Sequence, residues 1–195
     1  MTRVFDFVVS LLGILILFPI FLVLSIAIVL SSGSPVFFKQ ERIGLNSKPF
    51  LLLKFRTMAK ISGHGGLLTV GDRDSRITKI GYYLRKYKLD ELPQLLNVLK
   101  GDMSLVGPRP EVPKYVSLYN SDQKKVLSVR PGITDLASIE YMNESELLSK
   151  SSDPEKTYIE EIMPHKLEIN LRYLTNRSLI TDIGVILKTV FGIIR

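Results

Sequence analysis

Between Phe7 and Leu30 the chain carries no charged residue, which commits this stretch to a helix in or against a membrane. A straight helix of that length measures about 36 Å, enough to cross a hydrocarbon core of about 30 Å. A cleaved leader fits less well, because the apolar run is too long and no clear small-residue cleavage site follows it. Pro19 lies near the middle. It removes a backbone donor and crowds the carbonyl of Leu15, at about 3 kcal/mol in an ordinary helix. One outcome is a kinked spanning helix. Membrane helices tolerate proline, and on these residues alone spanning is favoured. The other is a break at Phe18-Pro19, with two arms of about 17 Å that enter the membrane and return to one side. The flanking charges do not choose: Arg3 and Asp6 precede the run, Lys39 and Arg42 follow it.

The expected fold class is α+β and mostly helical. A membrane segment occupies residues 1–34, and one further domain, with a small β-hairpin and amphipathic helices at the interface, occupies 35–195. The 195 residues are 46% hydrophobic, and 26 basic against 19 acidic side chains leave a net charge of +7. That balance calls for an anionic partner: nucleic acid, acidic headgroups or phosphorylated substrates. There is no cysteine, so disulfides, thiolate metal sites and cysteine nucleophiles are excluded. A cytoplasmic setting is consistent with this.

Val36–Gln40 and Phe50–Thr57 read as two strands, with Gly44, Asn46 and Pro49 in the turn. Alternation puts Leu51, Leu53 and Phe55 on one face of the second strand and Lys54 and Arg56 on the other. The cationic face is either solvated or a contact for phosphate. Gly63, Gly65 and Gly66 surround His64 without the spacing of a P-loop or dinucleotide site, and His64 reads as an exposed side chain before it reads as a base. A helix should begin near Ser75, patterned by Ile77, Ile80 and Leu84. Arg76, Lys79, Arg85, Lys86 and Lys88 make this the most basic region.

The segment Leu89–Pro110 opens with adjacent carboxylates, Asp90 and Glu91, and closes with Arg109 between Pro108 and Pro110. Leu92, Leu95, Leu96 and Leu99 have helical spacing. Asp90 fits the N-cap, Pro93 the first turn and Gly101 the stop. Taken singly, Asp90 reads first as a cap, at a helix end that also favours anions. Arg109 is either part of a rigid surface turn or a guanidinium held for bidentate phosphate contact. A helix patterned by Val112, Tyr115, Val116 and Leu118 follows. In Val129–Thr134, Arg130 is open between a structural and a substrate-facing role. Asn143–Pro154 is the clearest linker, and Ile159–Leu174 is a helix interrupted or begun at Pro164. Within Ser178–Arg195 the residues Thr181, Lys188 and Arg195, and likewise Asp182 and Thr189, are seven apart and form one polar stripe. That helix either packs on the core or lies in the lipid interface. Asp182 and Lys188 argue against spanning.

As a set, these residues closely resemble the signature of the bacterial sugar transferases, specifically the small monotopic phosphoglycosyl transferases. The resemblance rests on Asp90-Glu91 opening a helix and on Gly101-Asp102-Met103-Ser104-Leu105-Val106-Gly107-Pro108-Arg109-Pro110. Lys54-Phe55-Arg56-Thr57-Met58 and Val129–Thr134 are similar to further family elements. The likeness covers about residues 5–134. Where the larger family often continues with Gly-Trp, this chain has Asp135-Leu136, and sugar specificity is expected in the residues just after.

The resemblance implies a re-entrant helix broken at Phe18 and Pro19, with Phe18 in place of the family's Ser, and a catalytic domain on the cytoplasmic face of the inner membrane. It implies transfer of a sugar-1-phosphate from a UDP-sugar to undecaprenyl phosphate, the first membrane step of glycoconjugate assembly. UMP leaves and an aspartyl-phosphosugar forms on the way. Asp90 is then the nucleophile, and Glu91, with Asp90 shared, holds Mg2+. Lys54, Arg76, Arg85, Pro108, Arg109, Pro110, Arg130 and Asp182 face the substrates. Membrane lipid is a partner, nucleic acid is not expected, and a homo-oligomer is left open. The rival classes are a membrane-tethered basic binding protein without turnover and a nucleotide-sugar hydrolase.

Overall fold

The structure is a computed structural model that describes residues 2–59 and 76–194. His64, Gly63, Gly65, Gly66 and Ser75 lie outside the described residues. The first helix, α1 (Thr2–Ser32), contains an 18-residue stretch with a mean hydropathy of 3.0 and is long and apolar enough to cross a membrane. It stays helical through Phe18 and Pro19, so the expected break is not an interruption of the helix. Pro19 forfeits one donor, and the bonds on either side carry the backbone past it.

Much of the apolar surface of α1 is exposed, including Leu15, Ile16 and Leu30, yet both ends are tied to the rest of the chain. Arg3 donates to the carbonyls of Val98 at 2.5 Å and Leu99 at 2.9 Å. Asp6 is buried and accepts from Ser104 Oγ at 2.8 Å and Leu105 N at 3.1 Å. At the other end Arg56 donates to the carbonyls of Ser32, Gly33 and Ser34. Carbonyls at a helix C-terminus lack intrahelical partners and carry partial negative charge, so a guanidinium suits them. Arg56 is thereby tied to the end of α1.

Strands β1 (Phe37–Ile43) and β2 (Pro49–Phe55) pair antiparallel in the register Phe37↔Phe55 to Ile43↔Pro49. The connecting turn uses positive φ at Asn46 and Ser47. The buried side of β2 is not the one that simple alternation suggests, because Leu51 is exposed and Leu52 buried. Leu52 joins Val98 and Met103 in one core cluster, and Phe55 joins Ile28 and Leu84 in another. Each end of the strand is therefore buried on a different face.

Helix α2 (Lys79–Lys86) starts after the periodicity suggested, because Thr78 caps it by accepting from Gly81 N at 2.9 Å. Gly81 has a packing reason. A Cβ there would lie 2.0 Å from the Thr57 carbonyl oxygen. After α3 (Gln94–Lys100) come β3 (Ser104–Val106), α4 (Pro113–Val116) and β4 (Gly132–Thr134). Strands β3 and β4 pair in parallel, and a Cβ on Gly132 would fall 2.1 Å from the Gly107 nitrogen.

Next come α5 (Leu136–Glu140), α6 (Glu144–Ser149) and α7 (Pro154–Thr157). The stretch read as a linker thus contains a helix, pinned by Leu148 in the cluster of Val112, Tyr115, Tyr158 and Leu167. A wide π-turn at Tyr158–Ile162 joins α7 to α8 (Met163–Thr175). Pro164, which brings no donor to that turn, sits in the first turn of α8. Helix α9 (Leu179–Ile194) buries Asp182 and Val185 and exposes Ile180, Leu187 and Phe191.

Candidate active site

Asp90 belongs to a single 3-10 turn, Leu89–Glu91, entered through Lys88 in the left-handed region. It does not cap α3, which begins at Gln94, and no side-chain cap bond forms at either start. Pro93 accounts for the offset. It has no N–H to close a turn onto Leu89, so regular helical bonding resumes beyond it. Gly101 ends α3 with φ 95°, as its residue type requires.

Three elements deliver charge to the dyad. Lys54 comes from β2, Glu91 from the 3-10 turn, and Arg109 from the Pro-Arg-Pro segment after β3. Glu91 Oε1 accepts from Lys54 Nζ at 2.8 Å and Arg109 Nη2 at 2.6 Å, and Arg109 Nη1 stands 3.4 Å from Oε2. Asp90 is buried, with Lys54 at 4.0 Å.

The two neighbouring carboxylates titrate in opposite directions. Burial raises Asp90; Lys54 opposes that, and the adjacent Glu91 charge adds to it. Burial would raise Glu91 too, but Arg109 and Lys54, by charge and by hydrogen bonds, outweigh it and hold Glu91 well below the usual carboxylate range. Burial lowers Lys54 against the pull of Glu91, and Glu91 raises Arg109. One carboxylate is therefore locked into an ionic cluster, while its neighbour is a less stabilised and more basic anion.

The dyad opens into a cavity of about 1020 Å³. Lys54, Arg76, Arg85, Asp90, Glu91 and Arg109 all line it. Arg130 does not; its Nε donates to the Gly101 carbonyl at 2.8 Å. Asp182 is also away from the cavity walls, hydrogen-bonded by Tyr173 and 3.6 Å from Arg177. Pro108 and Pro110 do not line it either, and they brace Arg109 from outside.

The sequence reading missed Arg42, Glu111, Tyr158 and Lys166, all on the cavity wall. The Tyr158 hydroxyl donates to Glu111 Oε1 at 2.5 Å, and Arg42 lies 3.6 Å from the other carboxylate oxygen. Glu111 was legible as the residue following Pro110. Tyr158 carried no signal, since its direction depends on the π-turn.

No group of three or more His, Asp and Glu side chains gathers as a metal site among the described residues. A magnesium ion needs only one or two carboxylates when substrate phosphates complete its shell. Asp90 and Glu91 both line the cavity and are the carboxylates that could hold such an ion.

The chain matches the family described as bacterial sugar transferase over residues 1–195. It is 43% identical to the Bacillus subtilis (strain 168) protein named uncharacterized sugar transferase EpsL, over 88% of this chain and 76% of that one. It is 36% identical to the UDP-glucose:undecaprenyl-phosphate glucose-1-phosphate transferase of Klebsiella pneumoniae, over 97% of this chain and 39% of the relative. It is 35% identical to the UDP-N-acetylgalactosamine-undecaprenyl-phosphate N-acetylgalactosaminephosphotransferase of Aeromonas hydrophila, over 96% and 42%. The chain thus spans under half the length of the latter two relatives.

Proposed function

The chain belongs to the bacterial sugar transferase family, and from that premise we propose that it moves a sugar-1-phosphate from a UDP-sugar to undecaprenyl phosphate. The named relatives act on UDP-glucose and UDP-N-acetylgalactosamine with this acceptor, and they support the reaction class. The observation that carries the reading is the division of labour between Asp90 and Glu91 in a cation-lined cavity.

Both reactants are anions, so direct attack meets charge repulsion. A carboxylate nucleophile splits the transfer into two easier steps. Asp90 attacks the sugar-proximal phosphorus. The bond from that phosphorus to the bridging oxygen breaks, and its electron pair leaves with UMP. An oxygen of the polyprenol phosphate then attacks the same phosphorus and releases Asp90 as a carboxylate. Arg109 and Lys54, positioned by Glu91, stabilise charge on the phosphoryl oxygens. A magnesium ion held by Asp90 with the donor's phosphates would supply further charge neutralisation. Arg85 and Lys88 add positive charge beside Asp90.

The membrane helix is re-entrant in this reading, with the catalytic domain on the cytoplasmic face of the inner membrane. Arg3 and Asp6 at one end of α1 and Ser32 at the other bind the same domain, which supports both ends lying on one side.

The test is UMP release from a panel of UDP-sugars with Mg2+, with and without undecaprenyl phosphate, beside Asp90→Asn. Multiple-turnover release that needs both the lipid and Asp90 is expected, with no more than one UMP per protein released when the lipid is absent. Continued turnover without the lipid would make the protein a hydrolase. Near wild-type turnover by Asp90→Asn would refute the nucleophile.

A further inference from the structure

The cavity is chemically different toward its two ends. Near α1, Arg85 and Lys88 act on Asp90, and α2, which carries Arg85, meets α1 through Leu84 and Ile28. Another part of the wall is made by α5, α6, the turn between them and α8, with Ser138, Tyr141, Met142, Glu144 and Lys166. There Lys166 Nζ donates to Glu144 Oε2 at 2.6 Å, with the two side chains 12% and 27% exposed. Glu144 and Lys166 line the same cavity as Asp90 and Arg109.

We propose that Glu144 and Lys166 contact the donor's sugar ring and set which sugar is accepted. The inference rests on the transferase reading above. The sugar is joined through one oxygen to the phosphorus that Asp90 attacks, so groups that read its ring must stand beside Asp90 and Arg109. The ring bears hydroxyl or acylamino groups. A carboxylate accepts from such hydroxyls, an ammonium donates to ring or amide oxygens, and the pair adds no net charge to compete with the phosphates. A site that hydrogen-bonds a substrate group rejects the analogue that misplaces it far better than an apolar pocket does.

The pair is also held still. Asp135 caps α5 by accepting from Ser138 N at 2.9 Å and Ser138 Oγ at 2.7 Å. Leu148 is 1% exposed beneath α6. Lys166 lies over the Tyr158 ring, 5.8 Å from its centroid.

The experiment uses the full chain in nanodiscs with undecaprenyl phosphate. It measures kcat/KM for UDP-glucose, UDP-galactose, UDP-N-acetylglucosamine and UDP-N-acetylgalactosamine, together with inhibition by UMP. In Glu144→Gln and in Lys166→Met the ratio between best and worst donor should shrink tenfold or more, with UMP inhibition unchanged within twofold. If a single variant does not fold, Glu144→Gln/Lys166→Gln, which leaves no lone charge, carries the same expectation. An equal loss for all four donors, or UMP inhibition that weakens in step, would overturn the inference while leaving the transferase reading intact. No turnover of any donor by the wild type would overturn that reading and this inference with it.

Discussion

Glu91→Gln and Asp90→Asn are near-isosteric changes one residue apart, and the geometry gives them opposite thermal signatures. Removing one partner of a buried ion pair costs about 3–5 kcal/mol. Lys54 and Arg109 keep 19% and 32% side-chain exposure, so water compensates them in part and about 2–3 kcal/mol remains for Glu91→Gln. At about 2–4 °C per kcal/mol for a chain of this size, Tm falls by about 4–12 °C. Asp90 is the reverse case. Its charged form is disfavoured by burial, so the neutral amide should stabilise by on the order of 1 kcal/mol, or about 2–4 °C, while turnover is lost.

The sign for Glu91 holds at neutral pH, where its carboxyl, held well below the usual range by Arg109 and Lys54, is ionised. The contribution of Glu91 is fully present above its unfolded pKa and is lost as pH falls through its lowered folded value. The penalty at Asp90 is relieved as pH falls through its raised value. Thermal scans of tyrosine fluorescence in nanodiscs suit a chain that has no Trp. A fall for Asp90→Asn as large as that for Glu91→Gln, or no fall for Glu91→Gln, would refute this account of the dyad.

Two further outcomes follow from the same geometry. Because Asp90 must be ionised to attack and burial raises its carboxyl, the acid limb of kcat/KM should lie above the ordinary aspartate value of 3.8; a pH–rate profile with its limb below that would contradict the assignment. Gly81→Ala would drive a Cβ to 2.0 Å from the Thr57 carbonyl, forcing α2 off β2 at about 3 kcal/mol or more, and a Tm equal to wild type would show the contact to be soft.

Where sequence order and local chemistry coincide, the structure was readable in advance. The hairpin follows from alternation and from Gly44, Asn46 and Pro49, and the end of α3 follows from Gly101. The meeting of Lys54, Glu91 and Arg109 was suggested by resemblance, not by periodicity, because three separate elements bring it about. Asp90 as an N-cap failed because Pro93 delays α3. Leu51 misled because β2 is buried on different faces at its two ends, a property of α1 and α3 and not of the strand. Asp182 carried the right charge, but it is committed elsewhere, to Tyr173 and Arg177. Glu144 and Lys166, 22 positions apart, had no local signature.

Helix α1 is more than a tether. Ser10 is fully enclosed, Ile28 is 1% exposed, and Gly13 faces Leu95, whose side chain would be in ordinary contact with a Cβ there, at 3.5 Å. One side of this helix packs on the rest of the chain and the other is exposed apolar surface. A generic transmembrane segment grafted in its place would restore attachment and leave the core open beneath it. Exchanging this helix between relatives is therefore a repacking problem, in which Arg3, Asp6 and the residues they meet must travel together.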